Sequence, residues 1–181
     1  MQIRKWMPVL FLAGGIGTFV VQSRAQGPTR TTSAAPAMKV EANLVQLMRG
    51  TLYPASNVIF AAQNENPADI KEAKDPSVAV NPLESSYGKW QAVENASLAI
   101  SEVANLLTLP RKCSNGKDAP VRNADWLQWV QGLREAGMTT YKAAQSKDQD
   151  KIVDASDVLT TACANCHNKY REKPSLAERC Q

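Results

Sequence analysis

The chain has 181 residues, of which 44% are apolar and 21% charged, and a formal net charge of +4. Those proportions fit an ordinary globular protein with room for one domain and a sizeable core. Arg4, Lys5 and Arg24 lie in an N-terminal stretch without acids, so the remainder carries only +1. That balance argues against nucleic-acid binding, which needs a strong basic patch.

Residues 1–25 read as a signal peptide. Arg4 and Lys5 form a short positive region, residues 6–21 are uncharged and mostly apolar, and Ser23-Arg24-Ala25 resembles a small-x-small cleavage site. The apolar run is 16 residues, short for a membrane anchor, which takes ~20. The expectation is therefore cleavage after Ala25, export of an unfolded chain to the periplasm, and no stable membrane insertion afterwards. No cysteine precedes Cys113, which excludes lipid attachment to an N-terminal cysteine, and Arg4-Lys5 is not a twin-arginine pair. Residues 26–38 are rich in Thr, Ser, Ala, Pro and Gly and read as a flexible leader into a domain spanning residues 39–181.

Four stretches of that domain carry apolar residues at helical spacing, and almost none alternates as a half-buried strand would, so the expected fold class is all-α. The first helix is expected over residues 39–63, with Val40, Leu44, Leu47, Met48, Leu52, Ala55, Val58, Ile59 and Ala62 on one broad face. Pro54 is expected to kink it, because a mid-helix proline removes a hydrogen bond and clashes with the preceding turn. Residues 64–81 read as a polar connection outside the core. A second helix is expected from Asn81 as N-cap, with Pro82 at its first position and a stripe of Trp90, Val93, Ser97, Ile100, Ala104 and Leu107; Pro110 stops it. After a loop containing Cys113, the third helix opens past Asn123 with the stripe Trp126, Val130, Leu133, Gly137, Tyr141 and Ala144. The fourth opens near Asp148 and runs through Ile152, Ala155, Leu159, Ala162, Cys163, Cys166 and Tyr170. Four amphipathic helices with one apolar stripe each bury those stripes most simply as a four-helix bundle.

Cys163-Ala164-Asn165-Cys166-His167 has the spacing of c-type haem attachment. Two thiols add across the haem vinyl groups as thioethers, and the adjacent imidazole binds the iron. His167 is the only histidine in the chain. A thioredoxin-like pair would sit after a strand at the start of a helix, whereas this one is near a helix C-terminus. A structural zinc site needs four ligands, usually in two paired clusters, and Cys113 and Cys180 are isolated. In an oxidising compartment those two leftover cysteines are expected to pair, since the loop between helices two and three lies at the same end of a bundle as the C-terminus of helix four.

The run from Cys163 through Tyr170 and Arg171, near the C-terminus, resembles the class II cytochromes c, the cytochrome c-prime family, over residues 40–173. The resemblance implies an antiparallel four-helix bundle with one covalent haem c and iron bound by His167 on the proximal side. It also implies that a residue on the first helix decides the opposite side. Gln46-Leu47-Met48-Arg49 looks like the low-spin pattern, with Met48 as second axial ligand and Val45 as the apolar alternative one turn away. From its residues alone Met48 reads equally as a core gap-filler. Met138 is on the third helix, and Met38 precedes it all. Asn168, Lys169, Tyr170 and Arg171 also resemble the family, and Arg171 is expected near the proximal haem face, or else as a solvated charge favourable to the helix dipole.

A His167/Met48 pair fills both axial positions, and thioether ligation raises the reduction potential, so the expected activity is one-electron transfer between redox partner proteins. A five-coordinate alternative would bind nitric oxide or carbon monoxide in an apolar pocket formed by residues such as Val45 and Leu52. A third reading is an accessory haem subunit of an oxidoreductase, with an exposed apolar docking patch. No acid-base constellation or nucleotide-binding glycine pattern points to an enzyme. Members of the family often dimerise through a helix pair, which makes a homodimer a further expectation.

Overall fold

Why four helices form here, and where each one starts, is visible in a computed structural model that describes residues 37–180. The expected signal peptide at 1–25 and nearly all of the leader at 26–38 lie outside the described residues. The first helix, α1, spans residues 44–64 and starts later than its periodicity suggests, leaving Val40 exposed ahead of it. Asn43 sets the start. Its side chain accepts from Gln46 N at 2.9 Å while Gln46 Oε1 accepts from Asn43 N at 2.9 Å, a reciprocal box that satisfies two otherwise unpaired donors.

Pro54 does not end α1. Residues Met48–Leu52 form a π turn instead, in which Tyr53 N–H donates to Met48 O, and Tyr53–Asn64 continues as α-helix. The connection that follows is less solvated than its composition suggests: Pro67 is fully buried and Ile70 packs against the core. Asn81 does cap, accepting from Leu83 N at 3.1 Å, but the turn it caps is a 3₁₀ turn, Pro82–Glu84. The second long helix, α2, is Lys89–Leu106 and starts after Gly88. Glycine is required there because a Cβ would collide with the carbonyl oxygens of Leu83 and Ser85, which the doubled-back chain brings against it.

The α2 stripe Trp90, Val93, Ser97, Ile100, Ala104 and Leu107 is buried throughout. Ser97 is tolerated in it because its hydroxyl donates to Val93 O at 2.7 Å. Helix α3, Ala124–Ser146, follows Asn123 as expected, but Tyr141 is only half-buried and Thr140 takes the core position, its hydroxyl donating to Gly137 O at 2.8 Å. Lys147 in the left-handed conformation ends α3, and Asp148 caps α4, Gln149–Cys166, by accepting from Asp150 N and Lys151 N. A second π turn, His167–Arg171, extends α4.

Each helix packs against the next, and α4 returns to the Tyr53–Asn64 segment of α1. At two places the start of one helix is bonded to the end of another. Trp126 Nε1 at the start of α3 donates to Leu107 O at the end of α2 at 2.9 Å, and Gln149 Nε2 at the start of α4 donates to Ala62 O at the end of α1 at 2.6 Å. The only bridge between extended residues in the described chain is the isolated pair Lys112 and Asp118. No helix among the described residues is long and apolar enough to cross a membrane.

The loop from α2 to α3 ties three chain ends together. Cys113 and Cys180 are paired, with Cα atoms 6.6 Å apart, as expected from the sequence. Arg111 is 8% exposed and donates to Ala42 O at 3.2 Å and Leu106 O at 2.6 Å, and Lys112 O accepts from Leu44 N at 2.8 Å. Asn115 Nδ2 donates to Leu176 O and Arg179 O, both at 3.0 Å.

Two predictions follow from this packing. At Gly137 a Cβ would sit 2.9 Å from Ser101 N and 3.0 Å from Ser97 O, so Gly137→Ala must push α2 and α3 apart. Overpacking of that kind costs about 1–3 kcal/mol, to be read as a lower urea midpoint; an unchanged midpoint would contradict the close approach. The disulfide spans 67 residues, and opening it is expected to remove about 4 kcal/mol by chain entropy. Intact mass after alkylation without reductant should show neither Cys113 nor Cys180 modified, and labelling of both would refute the bridge.

Candidate functional site

Positions three and four apart on a helix share a face, so the end of α4 brings Cys163, Cys166 and His167 to one side within a single turn. Leu159 and Ala162 just before them and Tyr170 just after are buried, which fixes that turn against the core. The three side chains themselves are half-buried, and Cys163 packs on the core margin. They are therefore held in place yet reachable. Both thiols are unpaired. The other two cysteines are joined in the disulfide and hence not available as further zinc ligands, and no group of three or more His, Cys, Asp or Glu among the described residues is placed to hold a metal ion.

Burial disfavours the thiolate form of both cysteines. Burial pushes Cys166 up to about 11, with Cys163 and the Asp125 carboxylate adding to it. Burial also raises Cys163, against the pull of Arg171. Reactive redox thiols have their pKa lowered, the opposite of the direction at this pair. Burial and the positive charge of Arg171 hold His167 below the usual histidine value, against the opposing charge of Glu172. A neutral imidazole is the form that binds a metal.

The turn after the motif is anchored on α3. Tyr170 is 4% exposed, with its ring edge-on to Trp126 at 5.3 Å and to Trp129 at 5.9 Å. Its hydroxyl donates to Asp125 Oδ1 at 2.9 Å and accepts from Asn123 Nδ2 at 3.2 Å. Lys169 pairs with Asp125 and lies over the Trp129 and Tyr170 rings at 6.0 and 5.2 Å. The carbonyl of Tyr170 accepts from Cys180 N at 2.9 Å, which joins this anchor to the disulfide. Arg171 is exposed and paired with Glu172 at 2.5 Å; it acts on His167 and Cys163 through its charge.

The other expected site residues are on α1. Met48 is half-buried and packs against the core, Val45 is half-buried, and Leu52 is 9% exposed. The turn that contains Met48 packs on α2, whereas α4 meets α1 over Tyr53–Asn64. The structure thus groups Cys163, Cys166, His167, Tyr170 and Arg171 on the last turns of α4 and leaves Met48, Val45 and Leu52 on the first turns of α1. Two open surface hollows, one lined by Glu65, Asp69, Glu72 and Glu84 and the other by Glu41, Asn43, Arg111 and Asp118, do not border the motif.

Asn123, Asp125 and Trp129 are absent from the sequence-based site. Asp125 looks in sequence like an ordinary first-turn acid favourable to the helix dipole, and its role depends on Tyr170, 45 residues later. No protein-family model, curated protein or solved structure matches the chain.

The anchor can be tested apart from any ligand. Tyr170→Phe loses both hydroxyl bonds while keeping the ring, and is expected to destabilise by about 1–2 kcal/mol; Tyr170→Ala is expected to cost about 3–5 kcal/mol. Equal effects would show that the hydroxyl carries the anchor and the ring contributes nothing. The Lys169 ammonium, with help from the Tyr170 hydroxyl and Trp126 N–H, holds Asp125 below the ordinary carboxylate range. A depressed carboxylate contributes stability above its unfolded pKa and loses it as pH falls through the folded value. Asp125→Asn should therefore be less stable than wild type at neutral pH, with the difference vanishing as pH falls through the folded carboxylate value; a difference that persisted undiminished in acid would refute the assignment.

Proposed function

We propose that this chain is an exported monohaem c-type cytochrome of the class II kind, a four-helix bundle that passes single electrons between redox partner proteins. Haem c would be held by thioethers to Cys163 and Cys166, with His167 and Met48 as the axial ligands. The observation that carries the reading is the pair of unpaired, half-buried thiols one turn apart beside a half-buried imidazole at the end of α4. The alternative uses of CxxC fit less well, because both thiols are raised rather than lowered and the other cysteines are bridged.

When bound, haem supplies the one-electron ferric-ferrous couple, which thioether ligation poises toward the ferrous state. The chain's own contribution is to hold the ligands still. Tyr170, clamped by Asp125 and two tryptophans, fixes the turn that His167 heads, and the disulfide fixes the tail beyond it. Ligands that do not move between oxidation states keep reorganisation small. The opposite end of α4 is fastened to α1 through Gln149, ~27 Å from the motif along an 18-residue helix. α1 and α4 are thus joined firmly at the end away from the site. A disulfide fits a non-reducing compartment, in keeping with export to the periplasm.

The test is the absorption spectrum of the haem-matured protein, oxidised and reduced, beside Met48→Ala. A low-spin spectrum with the weak sulfur-to-iron band, lost in Met48→Ala, is the expected result. A high-spin spectrum indifferent to the substitution, with rapid binding of nitric oxide or carbon monoxide, would replace electron transfer by gas binding. Cys163→Ser with Cys166→Ser should leave no haem on the denatured chain, and persistent covalent haem would refute the attachment site.

A further inference from the structure

Burial along α1 does not follow one α-helical register. Leu52, Ala55, Ile59 and Ala62 are buried at steps of three and four. Continuing backward from Leu52 at those steps leads to Met48 or Arg49 and then to Val45. The buried residues are instead Leu47 and Leu44, and the step from Leu47 to Leu52 is five. The π turn Met48–Leu52, closed by Tyr53 N–H on Met48 O, supplies that step. One extra residue in a turn rotates everything before it by ~100° relative to everything after it. Leu47 and Leu44 therefore occupy the buried stripe, and Met48 and Val45 are left half-buried at its margin.

Pro54 gives the physical reason for the turn. It has no N–H to donate to Gly50 O four residues back, and in a regular α turn its ring would press on that carbonyl. Widening the preceding turn by one residue removes the clash without ending the helix, and the α-helix resumes with Pro54 in its first turn. Insertions of this type recur at functional sites. The other π turn of the described chain starts at His167, whose carbonyl accepts from Glu172 N at 2.8 Å.

We infer that Pro54 is a positioning residue for Met48: by enforcing the π turn it keeps the thioether out of the packed stripe of α1 and available as the second axial ligand. The inference rests on the His167/Met48 ligation proposed above. In an unbroken α-helix Met48 would stand four residues before Leu52, inside the stripe, with its sulfur committed to packing, and Leu47 would turn outward.

The experiment compares wild type, Met48→Ala and Pro54→Ala as full-length, haem-matured proteins. Pro54→Ala replaces proline by the best helix former, which offsets the loss of Leu44 and Leu47 from the buried stripe, so it is expected to fold. Its oxidised spectrum should lose the sulfur-to-iron band and move toward high spin, as Met48→Ala does. In parallel, nuclear Overhauser contacts and amide exchange over residues 48–55 of Pro54→Ala should report a continuous α-helix. Retention of the wild-type band alongside a continuous α-helix would overturn the inference, because the register would then not control ligation. Retention of the π turn would overturn it too, because Pro54 would not be its cause. Failure of the ligation reading itself is distinguishable, since wild type would then lack the band before any comparison with Pro54→Ala, and the inference would fall with it.

Discussion

The last carbonyls of a helix have no partners within it, so a helix end that nothing packs against frays into water. The end of α4 carries the three side chains of the motif. What holds it is Tyr170. The ring is enclosed by Trp126 and Trp129, and the hydroxyl is fixed by Asp125 and Asn123, so a single side chain fastens the turn headed by His167 to the first turn of α3. Because the aromatic contacts are buried and the polar ones sit at their edge, the anchor combines apolar area with a direction. Lys169 adds charge to the same carboxylate from the solvent side.

The anchor is extended by the loop between α2 and α3. Through Cys113 and Asn115 it grips the tail that follows Tyr170, and through Arg111 and Lys112 it grips the start of α1 and the end of α2. The Arg111 guanidinium is buried against two backbone carbonyls, one of them at a helix C-terminus where a cation is favoured. A stretch with no regular structure thus orders one end of the molecule. The other end relies on shorter devices: the Lys147 turn, the Asp148 cap and the Gln149 bridge to α1.

Two interruptions of the α-helical ladder occur in the described helices, one starting at Met48 and one at His167. At Met48 the interruption reconciles a proline with a continuous helix. At His167 it ends α4 in a wider turn, from which Tyr170 reaches the core while Arg171 stays exposed. In both places the local geometry departs from regularity next to a residue proposed to do chemistry, and after the first of them the α-helix resumes at once.

Much of this was legible without coordinates because it is local. Periodicity located the four long helices, Asn123 and Asp148 marked two of their starts, and the CxxCH spacing alone confines Cys163, Cys166 and His167 to one turn of one face. The Cys113–Cys180 pair followed from helix order and the parity of ends. Periodicity failed where a tertiary constraint overrode it: Asn81 caps a 3₁₀ turn because Gly88 folds tightly against Leu83, Tyr141 gives way to Thr140 on the crowded side of α3, and α1 shifts register at Pro54. The amino-acid sequence by itself determined the helices and the chemistry grouped on α4, since both depend on neighbours within about one turn. The tertiary structure alone decided that Asp125 meets Tyr170, that Arg111 joins two helix ends, and that Met48 lies at the margin of its stripe, because those relations depend on packing between segments far apart in the chain or on a one-residue change of register.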